Sequence, residues 1–269
     1  MTQPLVSLIS INRNNANGLR KTLASAAEQT FRDFEHIVID GGSTDESLTA
    51  IREFESGIEF WCSERDAGIY SAMNKGAARA NGDFLLFLNS GDHLLDADSL
   101  RFAAMHLSEH DLCYFDLEIR ESETNSAAHS RVIRYPDVLR FSHFLISSLP
   151  HPACLIRRSL FARFGGYDES LKICADWKAF ILWVCKHNCT YLHVPQVLSV
   201  FYADGLSSRS ESQRLIKAER KEVIGAEFAA FSQDALDALE AREALTQVAA
   251  LRRSRVVRLL QASSLIWKF

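Results

Sequence analysis

Apolar residues between positions 5 and 90 fall in short unbroken runs, each stopped by a polar cluster. "LVSLISIN", "FEHIVID", "EFWCSE" and "DFLLFLN" are the four runs. Runs of this length and continuity predict strands buried on both faces, as in a parallel sheet covered by helices. Segments with helical spacing lie between them. Leu19, Leu23 and Ala26 share one face of a helix over 17–29, and "LTAIREF" predicts a second. The small-residue stretch "GIYSAMNKGAARA" predicts a third, broken at Asn81-Gly82. This alternation is the signature of a doubly wound α/β fold with a mostly parallel sheet.

The pattern is less regular afterwards. "DLCYFDLEIR" and "SRVIRY" predict a strand pair, and "HPACLIRR" a strand leading into "SLFARFGGYDE". "DWKAFILWVCKHN" has the apolar face of a helix, and "YLHVPQVLSVFY" reads as extended. From Glu211 nearly to the end the chain reads as a helical C-terminal extension. His36 and His193 sit in strand-like apolar runs and read as structural.

In open parallel sheets, ligands bind beyond the carboxyl ends of the strands. The four runs end in Asn12-Arg13, Asp40-Gly41-Gly42-Ser43, Ser63-Glu64-Arg65-Asp66 and Asn89-Ser90-Gly91-Asp92. One such cluster is an ordinary turn. Four on one rim, three of them with carboxylates, predict a site.

Composition narrows the ligand. The 269 residues carry a net charge of −4, which argues against general nucleic-acid affinity. Six scattered cysteines include no CxxC pair, and Cys185, His187 and Cys189 lack the usual zinc spacing. They read as buried free thiols in a reducing cytoplasm. "MTQPLVSLIS" has no basic start and no long apolar core, so it is not read as a signal peptide. No apolar run reaches the roughly 18–20 residues of a membrane span. The first strand does not end in GxGxxG, and neither a Walker-A sequence nor a Gly-x-Ser-x-Gly elbow is present.

Strand-end carboxylates suit a nucleotide diphosphate better. Asp40 offers an acceptor to the imide N–H of a base. Asp92 offers a carboxylate to a divalent cation, and Mg²⁺ and Mn²⁺ both accept sparse protein ligation. The plainer readings are an Asx turn at Asp40 and a helix cap at Asp92.

At this point the motifs carry a resemblance. "VSLISINRN", "SAAEQTFRDFEHIVIDGGSTDES", "SERDAGIYSAMNKGAARANGDFLLFLNSGD" and "HPACLIRRSLFARFGGYDESLKICADWK" resemble, in order and spacing, the inverting family 2 glycosyltransferases of GT-A fold. The likeness covers about residues 5–205 and is greatest to bacterial members that build surface polysaccharides. It implies a GT-A domain over 1–205, with a nucleotide-sugar half over 1–95 and an acceptor half over 96–205, followed by the extension 206–269. It implies a nucleoside-diphosphate sugar as donor, UDP-sugars first. It also implies a glycan or lipid-linked glycan as acceptor, and Mn²⁺ or Mg²⁺ as cofactor. By the resemblance, Asp40 meets the base edge, with Asn12, Asp66 and Lys75 at the donor. Asn89, Gly91 and Asp92 fall on the DxD region, and Asp92 matches the metal carboxylate. Asp176 matches the catalytic base and His151 a position near the acceptor pocket. Trp177 itself reads in two ways, as a ring on the acceptor side stacked on a sugar or as core packing, the commoner fate of a helical tryptophan.

One departure matters: Gly91 stands where an aspartate is common, and Asn89 is neutral. That leaves two other readings, a non-catalytic sugar-binding subunit and a sugar nucleotidyltransferase. Asp168 and Glu169 are rival bases, and Asp176 could instead cap its helix. Finally, "LRRSRVVRLLQASSLIWKF" has five cationic and no acidic residues. Leu251, Val256, Leu259, Leu260, Ser263 and Trp267 recur at helical steps in it. It reads equally as an interfacial helix on anionic lipid at the inner face of the membrane, or as a helix packed on the domain or on a second subunit.

Overall fold

The computed structural model describes residues 3–107, 109–120, 130–202 and 212–254. The first half runs β1 (Val6–Asn12), α1 (Ala16–Ala27), β2 (Phe34–Asp40), α2 (Ser47–Glu53), β3 (Phe60–Ser63), α3 (Ile69–Arg79) and β4 (Phe84–Phe87). The second runs β5 (His93–Leu94), α4 (Ser99–Ala104), β6 (Leu112–Arg120), β7 (Ser130–Ile133), α5 (Phe141–Ile146), β8 (Cys154–Arg157), α6 (Arg158–Arg163), α7 (Ala175–Ile181) and β9 (Tyr191–Tyr202). Two helices close it, α8 (Ser212–Glu227) and α9 (Ser232–Arg253).

The strands form one sheet in the order β3-β2-β1-β4-β8-β6-β9-β5, with β7 added to β6. The first four are parallel to one another, as the continuous apolar runs require. β8 enters antiparallel between β4 and β6, and β6 runs parallel to β9. The sheet is therefore parallel through the first half and mixed through the second.

Side chains alternate across the sheet. Ile9, Ile37, Ile39, Leu85 and Phe87 pack on one face with α3, α5, α6 and α7. Leu8, Phe84, Leu86 and Leu155 pack on the other with α1 and α4, and Val38 joins α1 to α2. His36, fully buried on β2, bonds Ser10 at 3.0 Å, and burial pulls its pKa down to about 4. His193 lies between Asp116 at 3.0 Å and Asp137 at 2.6 Å. Both histidines are structural, as the pattern predicts.

Two differences have physical causes. His151–Ala153 forms a single 3₁₀ turn, not the start of β8, because Pro152 supplies no N–H to the ladder. After α7 the helix widens into a π turn over Leu182–Lys186, closed by the His187 N–H on the Leu182 carbonyl at 2.9 Å. Among the described residues, all six cysteines are free thiols, four of them buried. No described helix is long and apolar enough to cross a membrane. On α9, Leu245, Val248 and Leu251 are exposed. The basic stripe from Val256 to Trp267 lies outside the described residues.

α3 lies unusually close to β1. A Cβ on Gly76 would fall 2.4 Å from Ile9 Cγ2. A helix glycine ordinarily gains about 0.5–1 kcal/mol on replacement by alanine. Gly76→Ala is expected instead to lose about 1–3 kcal/mol through overpacking. Urea denaturation checks this, and an unchanged or raised midpoint contradicts the close approach.

Candidate active site

Register builds the rim. Asn12 pairs with Asp40 across β1–β2, and Asp40 with Ser63 across β2–β3. The Ser90 N–H bonds the Ile11 carbonyl at 2.9 Å and sets the end of β4 beside them. Parallel pairing thus puts all four polar clusters on one edge.

Asp40 is fully buried. Its Oδ1 accepts from Asn12 Nδ2 at 2.8 Å and Ser43 Oγ at 2.5 Å, and its Oδ2 from Ser43 N at 2.9 Å and Ser63 Oγ at 2.6 Å. Burial pushes the carboxyl pKa up, but these four donors outweigh it and hold it below the usual range. The bond from Ser43 N is the turn contact expected of an Asp before two glycines. Asp40 therefore acts here as the clamp that joins three strand ends.

Unpartnered acceptors surround that clamp. Asn12 Oδ1, Asp66 Oδ2 and Asn89 Oδ1 are buried and bond nothing in the protein. Buried polar atoms are normally paired, so three orphans at neighbouring strand ends mark where donor groups of a ligand belong. Asp66 Oδ2 lies over the backbone of Gly41, where a Cβ would sit 3.4 Å away. The other oxygen, Oδ1, pairs with Lys75, which also reaches Glu64 at 2.8 Å. Burial lowers the lysine pKa, yet its two carboxylate partners drive it up overall. Lys75 thus faces the rim but is neutralised by it.

The Asn89–Asp92 turn is held by α1. The hydroxyl of Thr22 accepts from the Gly91 N–H at 3.0 Å and lies 2.7 Å from the Asp92 carbonyl. Asn15 caps α1 and also donates to the Ser90 carbonyl at 3.1 Å. Gly91 has φ +107°, a conformation that side chains rarely adopt. The glycine at position 91 is thus a backbone requirement of this turn.

Asp176 lies within the first turn of α7, whose N-cap is Cys174, so it is not the cap. Its carboxylate reaches α3 and the turn before β8 instead. Oδ1 accepts from the Tyr70 hydroxyl at 2.9 Å, and Oδ2 lies 3.5 Å from His151 Nδ1. The other ring nitrogen of His151 lies 3.1 Å from Asn89 Nδ2 and 3.9 Å from Asp92 Oδ2. One imidazole therefore links the β4 turn to α7. Burial lowers the His151 pKa, but Asp176 and then Asp92 raise it above the ordinary value. Burial raises the Asp176 pKa, but His151 and Tyr70 bring it below the ordinary value. Side-chain exposures of 20% and 18% leave His151 and Asp176 open to a small substrate.

The rival bases sit elsewhere. Asp168 pairs with Lys178 at 2.7 Å, which with Ser170 holds its pKa down to about 2, and Glu169 bonds Asn74 at 2.9 Å. Trp177 does not offer its face to an acceptor sugar. It is 1% exposed, donates to the Phe144 carbonyl at 2.7 Å, and is covered by the Arg220 guanidinium 4.9 Å from its ring centre. Tyr70, Thr22 and Ser63 are site residues that the sequence pattern did not single out. Tyr70 opens the small-residue helix, and that placement was the available signal.

Among the described residues, no group of three or more His, Cys, Asp or Glu is arranged to hold a metal. The Asn89–Asp92 turn still fits a hard divalent cation. It supplies one carboxylate and one unpartnered amide oxygen, the sparse oxygen set that Mg²⁺ or Mn²⁺ completes with phosphate and water.

Comparison with known proteins gives three findings. The family model "Glycosyl transferase family 2" matches residues 7–165. A PGL/p-HBAD biosynthesis glycosyltransferase of Mycobacterium bovis is 35% identical over 228 residues, covering 81% of this chain and 84% of that one. A Mycobacterium tuberculosis protein described only as a glycosyltransferase is 36% identical over 215 residues, covering 77% and 79%. Among solved structures, the mannosyltransferase PcManGT from Pyrobaculum calidifontis, in complex with GDP-Man and Mn²⁺, superposes with TM-score 0.61 at 19% identity, covering 97% of this chain and 84% of that one. S. aureus TarS in complex with UDP-GlcNAc gives TM-score 0.57 at 18% identity. That match covers 74% of this chain and 58% of TarS 1–349, so the chain spans little more than half of that structure. At these identities the two structures establish a shared GT-A fold.

The Gly91 turn yields a test. If backbone strain forbids a side chain there, Gly91→Asp and Gly91→Ala should each lose about 1–3 kcal/mol. Gly91→Asp should bring no gain in Mn²⁺ affinity. Thermal unfolding and manganese titration check this. A stable Gly91→Asp protein with tighter manganese binding contradicts it.

Proposed function

The chain belongs to glycosyl transferase family 2, and from that premise we propose that it moves a sugar, with inversion, from a nucleoside-diphosphate sugar to a hydroxyl of a glycan or lipid-linked glycan. The observation that carries this reading is the His151 bridge. It joins one carboxylate at the end of a parallel strand, Asp92 at 3.9 Å, to another on α7, Asp176 at 3.5 Å. Family membership sets the nucleotidyltransferase reading aside.

In this reading the nucleotide lies across the rim, and the unpartnered atoms of Asn12 and Asp66 take its donor groups. Asp40 keeps Asn12, Ser43 and Ser63 in place beneath the base. A UDP-sugar is the first choice of donor. A divalent cation, held by Asp92 and the Asn89 amide oxygen, would neutralise charge on the departing diphosphate. Asp176, with its pKa below the ordinary value, is ionised at neutral pH and accepts the proton of the attacking hydroxyl. The new bond forms at the anomeric carbon as the bond to the diphosphate breaks on the opposite face. Tyr70 and His151 fix the direction in which Asp176 points.

Two variants separate the roles. Asp92→Ala should abolish manganese-dependent binding of a nucleoside diphosphate in titration calorimetry. Asp176→Asn should bind the same ligand normally yet lose about 10²–10⁴-fold in transfer rate. Unchanged affinity in the first rejects the metal assignment. Near-normal turnover in the second rejects Asp176 as base.

A further inference from the structure

The loop that leads into α7 is held from a distant part of the chain. Glu219 lies on α8 and is 7% exposed. Its Oε1 accepts from Lys172 N at 2.7 Å, and its Oε2 from Ile173 N at 3.1 Å and Cys174 N at 3.0 Å. Three consecutive backbone N–H groups thus converge on one carboxylate, an anion nest whose anion belongs to the protein itself. Charge-assisted bonds of this kind are about twice as strong as neutral ones. From the other side, the Tyr70 hydroxyl sits 2.5 Å from the Ile173 carbonyl and shares its one proton between that carbonyl and Asp176 Oδ1. The peptide at 172–174 is therefore gripped at its N–H groups by α8 and at its carbonyl by α3.

Asp176 lies two residues beyond that grip. α7 has no side-chain cap of its own, since Cys174 at the N-cap makes no capping bond. The start of the helix, and with it the direction of the Asp176 carboxylate, is left to Glu219 and Tyr70. The residue after Glu219 points the same way, with the Arg220 guanidinium over the Trp177 ring. α8 buries Ser212, Glu219, Val223 and Ile224, so the face that carries the carboxylate is its packed face. An apolar side chain there would leave three backbone N–H groups without an acceptor, so the conformation of the loop depends on the carboxylate.

We propose that Glu219 is a positioning residue for Asp176, so that helix α8, which lies beyond the matched residues 7–165, completes the active site. The inference rests on Asp176 being the base. It assigns Glu219 no contact with either substrate.

The test uses the full-length protein with Glu219→Gln, which keeps the size but sets an amide NH₂ against the loop N–H groups, and Glu219→Ala. Expected for both is a kcat per folded molecule lower by about 10–100-fold, the effect of misplacing a reacting group by a fraction of an ångström to an ångström. The donor KM, and the Kd of a nucleoside diphosphate with manganese, should stay within about twofold, because the rim on β1 to β4 is untouched. Hydrogen exchange at the 172–174 amides should accelerate while that of Val38–Asp40 does not. If kcat per folded molecule is unchanged, or kcat and donor affinity fall together, the proposal is overturned. Should Glu219→Ala not fold, Glu219→Gln decides alone. Asp176→Asn is run beside them. If it turns over normally, the base assignment fails and this proposal with it, whereas an inactive Asp176→Asn beside an active Glu219→Gln removes Glu219 only.

Discussion

Two carboxylates on different elements, Asp92 at the end of β4 and Asp176 on α7, are bridged by one imidazole, His151. Without it, Asp176 would lose the partner that most offsets the effect of its burial. With it, Asp176 stays ionised and His151 is held above its ordinary pKa. That charge balance requires the histidine to arrive at the end of β4. The antiparallel entry of β8 beside β4 does this, because it brings the 3₁₀ turn before β8 to the carboxyl end of β4.

The same logic applies along the rim. Asp40 is ionised in a fully buried place because Ser43, Ser63 and Asn12 all donate to it. Asp66 is balanced by Lys75. The charges are settled locally, and the atoms left without partners are acceptors. A site arranged in this way selects a ligand rich in N–H and O–H groups that also carries its own anion and cation. A nucleotide sugar with a bound divalent metal has that character.

How much of this was legible in the sequence follows from how far each contact reaches along the chain. The parallel half was legible because its strands run apolar from end to end and stop at polar clusters. Asn12, Asp40 and Asp92 could be placed on one edge from that pattern alone. The resemblance, not the pattern, singled out Asp176 over Asp168, and in the structure Asp168 is tied to Lys178. For Trp177 the pattern left sugar stacking and core packing open, and only the contacts with α5 and α8 decide for the core. Glu219 was invisible for the same reason. In "SQRLIKAERKEVIGAE" it is one acidic residue among charged neighbours, and only the fold turns it inward. The C-terminal extension reads as an appendage in sequence but is tied to the active-site loop in three dimensions.

His151 joins the strand-end rim to α7, and the donor and its metal belong against that junction. A crystal structure of the protein with a nucleoside diphosphate and Mn²⁺ tests it most directly. The account predicts an anomalous manganese peak within coordination distance of the Asp92 carboxylate, the base over the ends of β1 and β2, and Asp176 facing the open side of the diphosphate. Manganese bound away from Asp92, or a nucleotide lying elsewhere than on that rim, would contradict it.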